Sequence, residues 1–283
     1  MNKLFLGPAE VAAFTAQVGV NKTSMNKAKA FVLAIFAGMF IGFAAYGSNT
    51  AVCNLLASNA TFGVAKALQG VIFTVGLMLV LVAGAELFTG NSLILVAVLD
   101  KKVKFTAMLA NWVLIWVGNL VGALLLVLVI SGAGGLSAGG NMVGAISLKI
   151  AAGKAGMSFG AAFCSGILCN IIVCLAVWMS FAAQDVASKL LAAGFPIMLF
   201  VVSGYEHSIA NMTYLPLGIL AKSNPAVVAK ALEIGVSQAA IDNLGWGTMF
   251  SANLLPVTLG NIVGGACVVA LAYWFVYLSG KQK

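Results

Sequence analysis

Glu206 and His207 stand side by side in a long apolar run, Gly204-Tyr205-Glu206-His207-Ser208-Ile209-Ala210-Asn211, and His207 is the only histidine in 283 residues. An ionisable pair at membrane depth is costly unless protein buries it or water reaches it, which marks the pair as a candidate site. Imidazole can donate a hydrogen bond and changes charge near neutral pH. Without such a setting, a lone histidine is an ordinary satisfied core residue.

A second polar insert, Gly84-Ala85-Glu86-Leu87-Phe88-Thr89-Gly90-Asn91, repeats the pattern GxExxxxN. Thr89 adds a hydroxyl that both donates and accepts. Both inserts interrupt apolar runs, so each is expected to be a break between two half-helices. Glu86, Glu206, Asn91 and Asn211 are expected to support the breaks by receiving the backbone N–H groups freed there. Asn170 either pins His207 or bridges helices through its amide.

The elements that must position these residues are membrane spans. Hydrophobic residues make up 62% and charged residues 8% of the chain, and mean hydropathy is +1.07. Apolar runs near the roughly 20 residues that a bilayer requires recur throughout, so the expected class is an all-α polytopic membrane protein. Pro8 to Val20 reads as a short interfacial helix, and Met1 to Val20 shows no cleavable signal pattern. Six spans are expected: Ala30–Gly47, Lys66–Leu99 with the first break, Phe105–Ile130, Ser158–Ala182, Leu190–Leu220 with the second break, and Asn253–Leu278. Ser48–Thr61 and Lys222–Trp246 are expected to be polar loops, and Ser131–Asn141 a flexible connection.

Gly118-Asn119-Leu120-Val121-Gly122 in span 3 and Gly260-Asn261-Ile262-Val263-Gly264 in span 6 follow their breaks in the same order. Three spans per half is an odd number, which predicts two inverted three-span repeats with spans 2 and 5 broken. The single channel domain 1–283 then divides into a cytoplasmic helix and linker (1–29), a first repeat (30–130), a connecting loop (131–157) and a second repeat (158–283). Facing breaks would bring Thr89 and His207 to one lumen. Phe73, Leu77, Leu87, Phe88 and Phe200 then either form apolar constrictions or simply pack between helices.

Charge and composition exclude several classes. All fifteen basic residues are lysines, so the two-pronged grip of guanidinium on polyphosphate is missing. The +8 net charge lies mostly beside span ends, which argues for membrane anchoring and against nucleic-acid binding. A cytoplasmic N terminus places Lys3, Lys22, Lys27, Lys29, Lys101, Lys102, Lys104, Lys189, Lys281 and Lys283 inside. Lys66, Lys149, Lys154, Lys222 and Lys230 then lie outside. Five cysteines without a CxxC pair read as small packing residues, giving neither disulfides nor a metal site. One histidine and no paired carboxylates leave too few groups for an enzyme, a cofactor or a redox subunit.

Leu81-Val82-Ala83-Gly84-Ala85-Glu86-Leu87-Phe88-Thr89-Gly90, Gly166–Ala176 and Gly204–Asn211 resemble the motifs of the formate/nitrite transporter family. Cys174–Ser180 and Asn253–Asn261 are most similar to its formate channel branch. The resemblance implies an aquaporin-like fold, a homopentamer in the bacterial cytoplasmic (inner) membrane with both termini cytoplasmic, and one pore per subunit. It implies passage of formate, with nitrite, hydrosulfide, lactate or acetate as alternatives and proton coupling as an option. It maps the vestibule lysine onto Lys154, the span 4 asparagine onto Asn170, and two narrow apolar rings onto Leu77, Leu87 and Phe88 and onto Phe73 and Phe200. Where formate-channel relatives carry histidines after the lysine, Ala155, Gly156 and Met157 stand here. Lys154 lacks acids nearby in sequence, so it is expected to act as an unneutralised anion attractor. A water or glycerol pore is disfavoured, because neither half-helix tip carries Asn-Pro-Ala.

Overall fold

In a computed structural model that describes residues 4–280, the chain is nearly all helix, with an isolated bridge between Phe5 and Ala183. Lys3, Lys281 and Lys283 lie outside the described residues. Six helical segments are long and apolar enough to cross a membrane: Lys27–Val52, Asn59–Gly84, Phe105–Gly132, Phe159–Ala182, Val186–Ser203 and Trp246–Tyr277.

The order begins with α1 (Pro8–Ser24), α2 (Lys27–Val52) and α3 (Phe62–Met78). Proline suits the first turn of α1, where no backbone donor is lost. Asn26 caps α2 by accepting from the amides of Ala28 and Lys29. α3 loosens into a π turn at Leu79–Gly84, non-helical backbone follows, and α4 (Ile94–Leu99) finishes the second span. Next come α5 (Phe105–Gly132), α6 (Met142–Ala155), α7 (Phe159–Ala182) and α8 (Val186–Ser203). α9 (Ser208–Ala221), α10 (Pro225–Glu233) and α11 (Gln238–Asn243) precede the last span.

Four sequence expectations need correction. The first span runs five residues past Gly47, because Ser48 and Asn49 pack fully buried on its inner face. The stretch expected to connect the halves contains α6, whose small residues Gly144, Ala151 and Ala152 let it lie against its neighbours. The expected loop Lys222–Trp246 holds α10 and α11, started by the side-chain caps Asn224 and Ser237. The last span starts at Trp246, and π segments at Met249–Leu254 and Val263–Ala270 lie within it.

Both halves use glycine the same way. Gly84 and Gly204 take left-handed φ angles of +89° and +74° where the helices break. A Cβ on Gly122 would strike the Ile35 carbonyl, and one on Gly264 the Ile167 carbonyl, so α5 crosses α2 as the last span crosses α7. Large apolar side chains such as Val113, Val129, Phe195 and Phe275 remain exposed on the outer faces, as expected where lipid or a neighbouring subunit covers a helix.

A paired break at the candidate functional site

The breaks are held open by side chains, and the two sets of contacts match. Asn119 Nδ2 donates to the carbonyls of Ala34 (2.8 Å) and Glu86 (2.9 Å), and its Oδ1 accepts from the Phe88 amide at 3.0 Å. Asn261 Nδ2 donates to the carbonyls of Gly166 (2.8 Å) and Glu206 (3.0 Å), and its Oδ1 accepts from the Ser208 amide at 2.9 Å. Backbone freed at membrane depth must find partners within the protein, and these two buried asparagines supply them. Both sit in the shared GNxxG strings, although the strings alone gave no reason to assign them this work.

The carboxylates do something else. Glu86 Oε1 meets Lys22 Nζ at 2.7 Å, and its Oε2 accepts from Asn91 Nδ2 at 2.9 Å. Asn91 Nδ2 also reaches Asn111 Oδ1 at 2.9 Å, and Asn111 Nδ2 donates to the Lys22 carbonyl at 3.4 Å. On the opposite side Glu206 Oε1 meets Lys154 Nζ at 2.6 Å, and its Oε2 accepts from Asn211 Nδ2 at 2.6 Å. Asn211 Nδ2 reaches Asn253 Oδ1 at 2.7 Å, and Asn253 Nδ2 donates to the Lys154 carbonyl at 3.2 Å.

The expectation that Glu86, Glu206, Asn91 and Asn211 would receive backbone N–H groups is therefore corrected. These carboxylates neutralise lysines, and these asparagines donate to the carboxylates. The expectation that Lys154 acts without a neighbouring acid is corrected as well. Its ammonium is paired with Glu206 and lies 5.4 Å from the centre of the Tyr214 ring. Lys22, read from sequence as one of several anchors, is the counterpart of Lys154 and the main functional candidate that sequence reasoning missed. A faint signal existed: Lys22 stands twelve residues before Ala34 as Lys154 stands before Gly166, the two residues whose carbonyls Asn119 and Asn261 hold.

At the centre, Thr89 Oγ1 lies 2.9 Å from His207 Nε2, with both residues buried. His207 also caps α9, its Nδ1 accepting from the Ala210 amide at 3.0 Å. With Nδ1 used as an acceptor, the ring hydrogen is assigned to Nε2, facing Thr89. The Thr89 hydroxyl accepts that hydrogen and keeps its own for another acceptor.

Asn170 does not pin His207. Its Nδ2 lies 3.3 Å from the Thr89 carbonyl, 3.1 Å from Ser92 Oγ and 2.6 Å from the Asn261 carbonyl. The Cys174 thiol, read from sequence as mere packing, also points at the Thr89 carbonyl, at 3.4 Å.

Two cavities flank the centre. One, of about 390 Å³, is lined by Lys22, Glu86, Asn91, Leu77 and Leu87 among others. The other, of about 400 Å³, is lined by Lys154, Asn211, Tyr214, Phe73, Phe200 and His207 among others. The Phe73 and Phe200 rings meet edge to face at 5.6 Å between centroids, and the Phe200 ring stacks on His207 at 5.8 Å. Phe88 differs from the expected ring residue: it lines neither cavity and turns its ring onto Trp112 at 6.3 Å.

Two broken helices that bring Thr89 and His207 together, with a cavity on either side, define a membrane channel of the inverted-repeat type. The formate/nitrite transporter family model matches residues 9–275. Formate channel FocA of Escherichia coli K12 is 38% identical over 273 residues, covering 96% of this chain and 94% of its own. A probable formate transporter of Methanothermobacter thermautotrophicus is 35% identical, with 98% and 99% covered. The solved structure of a pentameric formate channel with formate bound superposes with a TM-score of 0.78 at 36% identity, covering 89% of this chain and 98% of that one. The chain belongs to the formate/nitrite transporter family.

Proposed function

We propose that the protein is a channel for small monovalent anions, formate foremost, and that it works as a homopentamer with one pore per subunit. The observation that carries this reading is the buried Thr89–His207 pair, set between a cavity walled by Leu77 and Leu87 and another walled by Phe73 and Phe200. The formate channels among its relatives, and the pentameric neighbour with formate bound, support the substrate and the assembly.

The physical problem is desolvation. Moving a bare carboxylate into an apolar waist costs tens of kcal/mol by idealised solvation estimates, on the order of 20. Neutral donors aimed at the anion lower that cost without trapping it as a full countercharge would. The Thr89 hydroxyl is such a donor, its oxygen held by the His207 Nε2–H so that its own hydrogen is free for the anion. As placed, His207 acts through Thr89, orienting the hydroxyl that meets the anion. Proton donation by this ring would require a second hydrogen on the nitrogen that now caps α9.

Lys22 and Lys154 stand one in each cavity wall, each paired with a carboxylate. The pairing leaves each ammonium two further hydrogens for an arriving anion while keeping the net charge near zero. Residues 30–130 and 158–283 form the repeats, with α1 and α6 as their matching pre-span helices. The lysine count supports both termini being cytoplasmic, and the bacterial formate channel relatives support the bacterial inner membrane.

Nitrite is the second reading, favoured by the description of the family itself. Stopped-flow flux in proteoliposomes with formate, nitrite, hydrosulfide and lactate at two pH values tests both. Formate flux above that of empty liposomes is the expected result, and flux of none of the four would refute the channel reading.

A further inference from the structure

The two cavities share one plan but not one charge. On the Lys22 side, the only charged lining residues among the described ones are Lys22 and its partner Glu86. On the other side, Lys66 and Lys149 line the cavity along with Lys154. Among the described residues neither has a carboxylate within ion-pair distance; the four ion pairs use Lys22, Lys102, Lys154 and Lys230. Three lysines against the single carboxylate of Glu206 leave an excess of two positive charges.

These are not loose surface lysines. Lys66 Nζ donates to Gln69 Oε1 at 3.0 Å, and the buried Gln69 is braced in turn, its Nε2 lying 3.3 Å from Oδ1 of the fully buried Asn49. Lys149 Nζ donates to the Leu56 carbonyl at 3.3 Å. Both acceptors are neutral, and each ammonium keeps two of its three hydrogens. Lys66 and Phe73 are seven residues apart on α3, hence on one face and about 10 Å apart along the axis. Leu77, on the far side of Phe73, belongs to the other cavity. The Lys66 ammonium thus stands outside the Phe73–Phe200 waist, on the way in.

We propose that Lys66 and Lys149 form a second anion-recruiting station at the Lys154 mouth, one that concentrates small monovalent anions before Lys154 and makes flux from that side saturate at a lower concentration than flux from the Lys22 side. The inference rests on the channel reading above. The asymmetry is kinetic, since a passive pore leaves the equilibrium distribution unchanged. It appears as a lower KM from the Lys154 face with a maximal rate lower in proportion, because a passive pore has the same ratio of maximal rate to KM from both faces.

The test is formate flux in right-side-out and inside-out vesicles from cells producing the full chain. The wild type is compared with Lys66→Gln, Lys149→Gln, the double variant and Lys66→Arg. For entry from the Lys154 mouth at low ionic strength, the double variant is expected to raise KM about five- to tenfold without lowering the maximal rate. In about 1 M impermeant salt, where screening acts within about 3 Å, the difference should shrink below twofold. Lys66→Arg should keep the wild-type KM, which a merely structural role for Lys66 does not require. An unchanged KM at low ionic strength, an equal loss at both ionic strengths, or Lys66→Arg behaving like Lys66→Gln overturns the proposal alone. A wild type that conducts no anion overturns the channel reading and this inference with it.

Discussion

Lys22 and Glu86 form an ion pair of 2.7 Å across a separation of 64 residues. Through it α1 is tied to the first break, as α6 is tied to the second by Lys154 and Glu206 at 2.6 Å. Both carboxylates are nearly inaccessible, so removing either lysine strands a buried charge. Lys154→Met is expected to destabilise the protein by about 3–5 kcal/mol. The double variant Lys154→Met with Glu206→Gln should recover a large part of that loss. Thermal unfolding of the purified protein measures the coupling, and additive losses would show that the pair is not a unit.

Asn261 serves three backbone groups at the second break. Asn261→Leu leaves the Ser208 amide and the Glu206 carbonyl without partners at membrane depth. Each orphaned group costs about 1–3 kcal/mol, so the variant should fail to accumulate as a folded oligomer, and Asn119→Leu should fail alike. Size-exclusion chromatography of detergent extracts checks this; a wild-type profile for either variant would contradict the assigned role.

Gly264 lets the last span press against the Ile167 carbonyl. Gly264→Ala must push the helices apart, at a cost of about 1–3 kcal/mol. A lowered melting temperature is expected, whereas Gly153→Ala, with open space at its Cβ position, should leave it within about 0.5 kcal/mol of wild type.

Asn170 and Cys174 both hold the Thr89 carbonyl, but unequally. The amide has three partners and the thiol is a weak donor. Asn170→Leu should therefore reduce formate flux about tenfold or more, while Cys174→Ala changes it less than threefold. Flux assays on the two variants side by side decide the ranking.

Much of this architecture was legible in the sequence because a membrane leaves few options. The two GxExxxxN inserts could only be broken spans, and the odd number of spans in each half could only invert the second half. Thr89 and His207 were legible as a pair for the same reason. The partners of Glu86 and Glu206 were not. Lys22 and Lys154 lie in pre-span helices, outside the runs whose hydropathy carries the signal, and a lysine beside a span end looks like an anchor whether or not it reaches a carboxylate. α6 was hidden because Gly and Ala, which read as flexible, are also what permits close helix packing. Phe88 was misplaced because at a break the direction of a side chain follows neither a helical nor a strand period.

The most direct test is formate flux in proteoliposomes through the wild type and through Thr89→Val, Thr89→Ser and His207→Asn. Serine keeps the hydroxyl; asparagine keeps an oxygen to cap α9 but cannot reach Thr89 as Nε2 does. With intact oligomers throughout, Thr89→Ser should conduct within about threefold of wild type, and Thr89→Val and His207→Asn at least about tenfold less. Wild-type flux through both of the latter would contradict the placement of anion stabilisation at the Thr89–His207 pair.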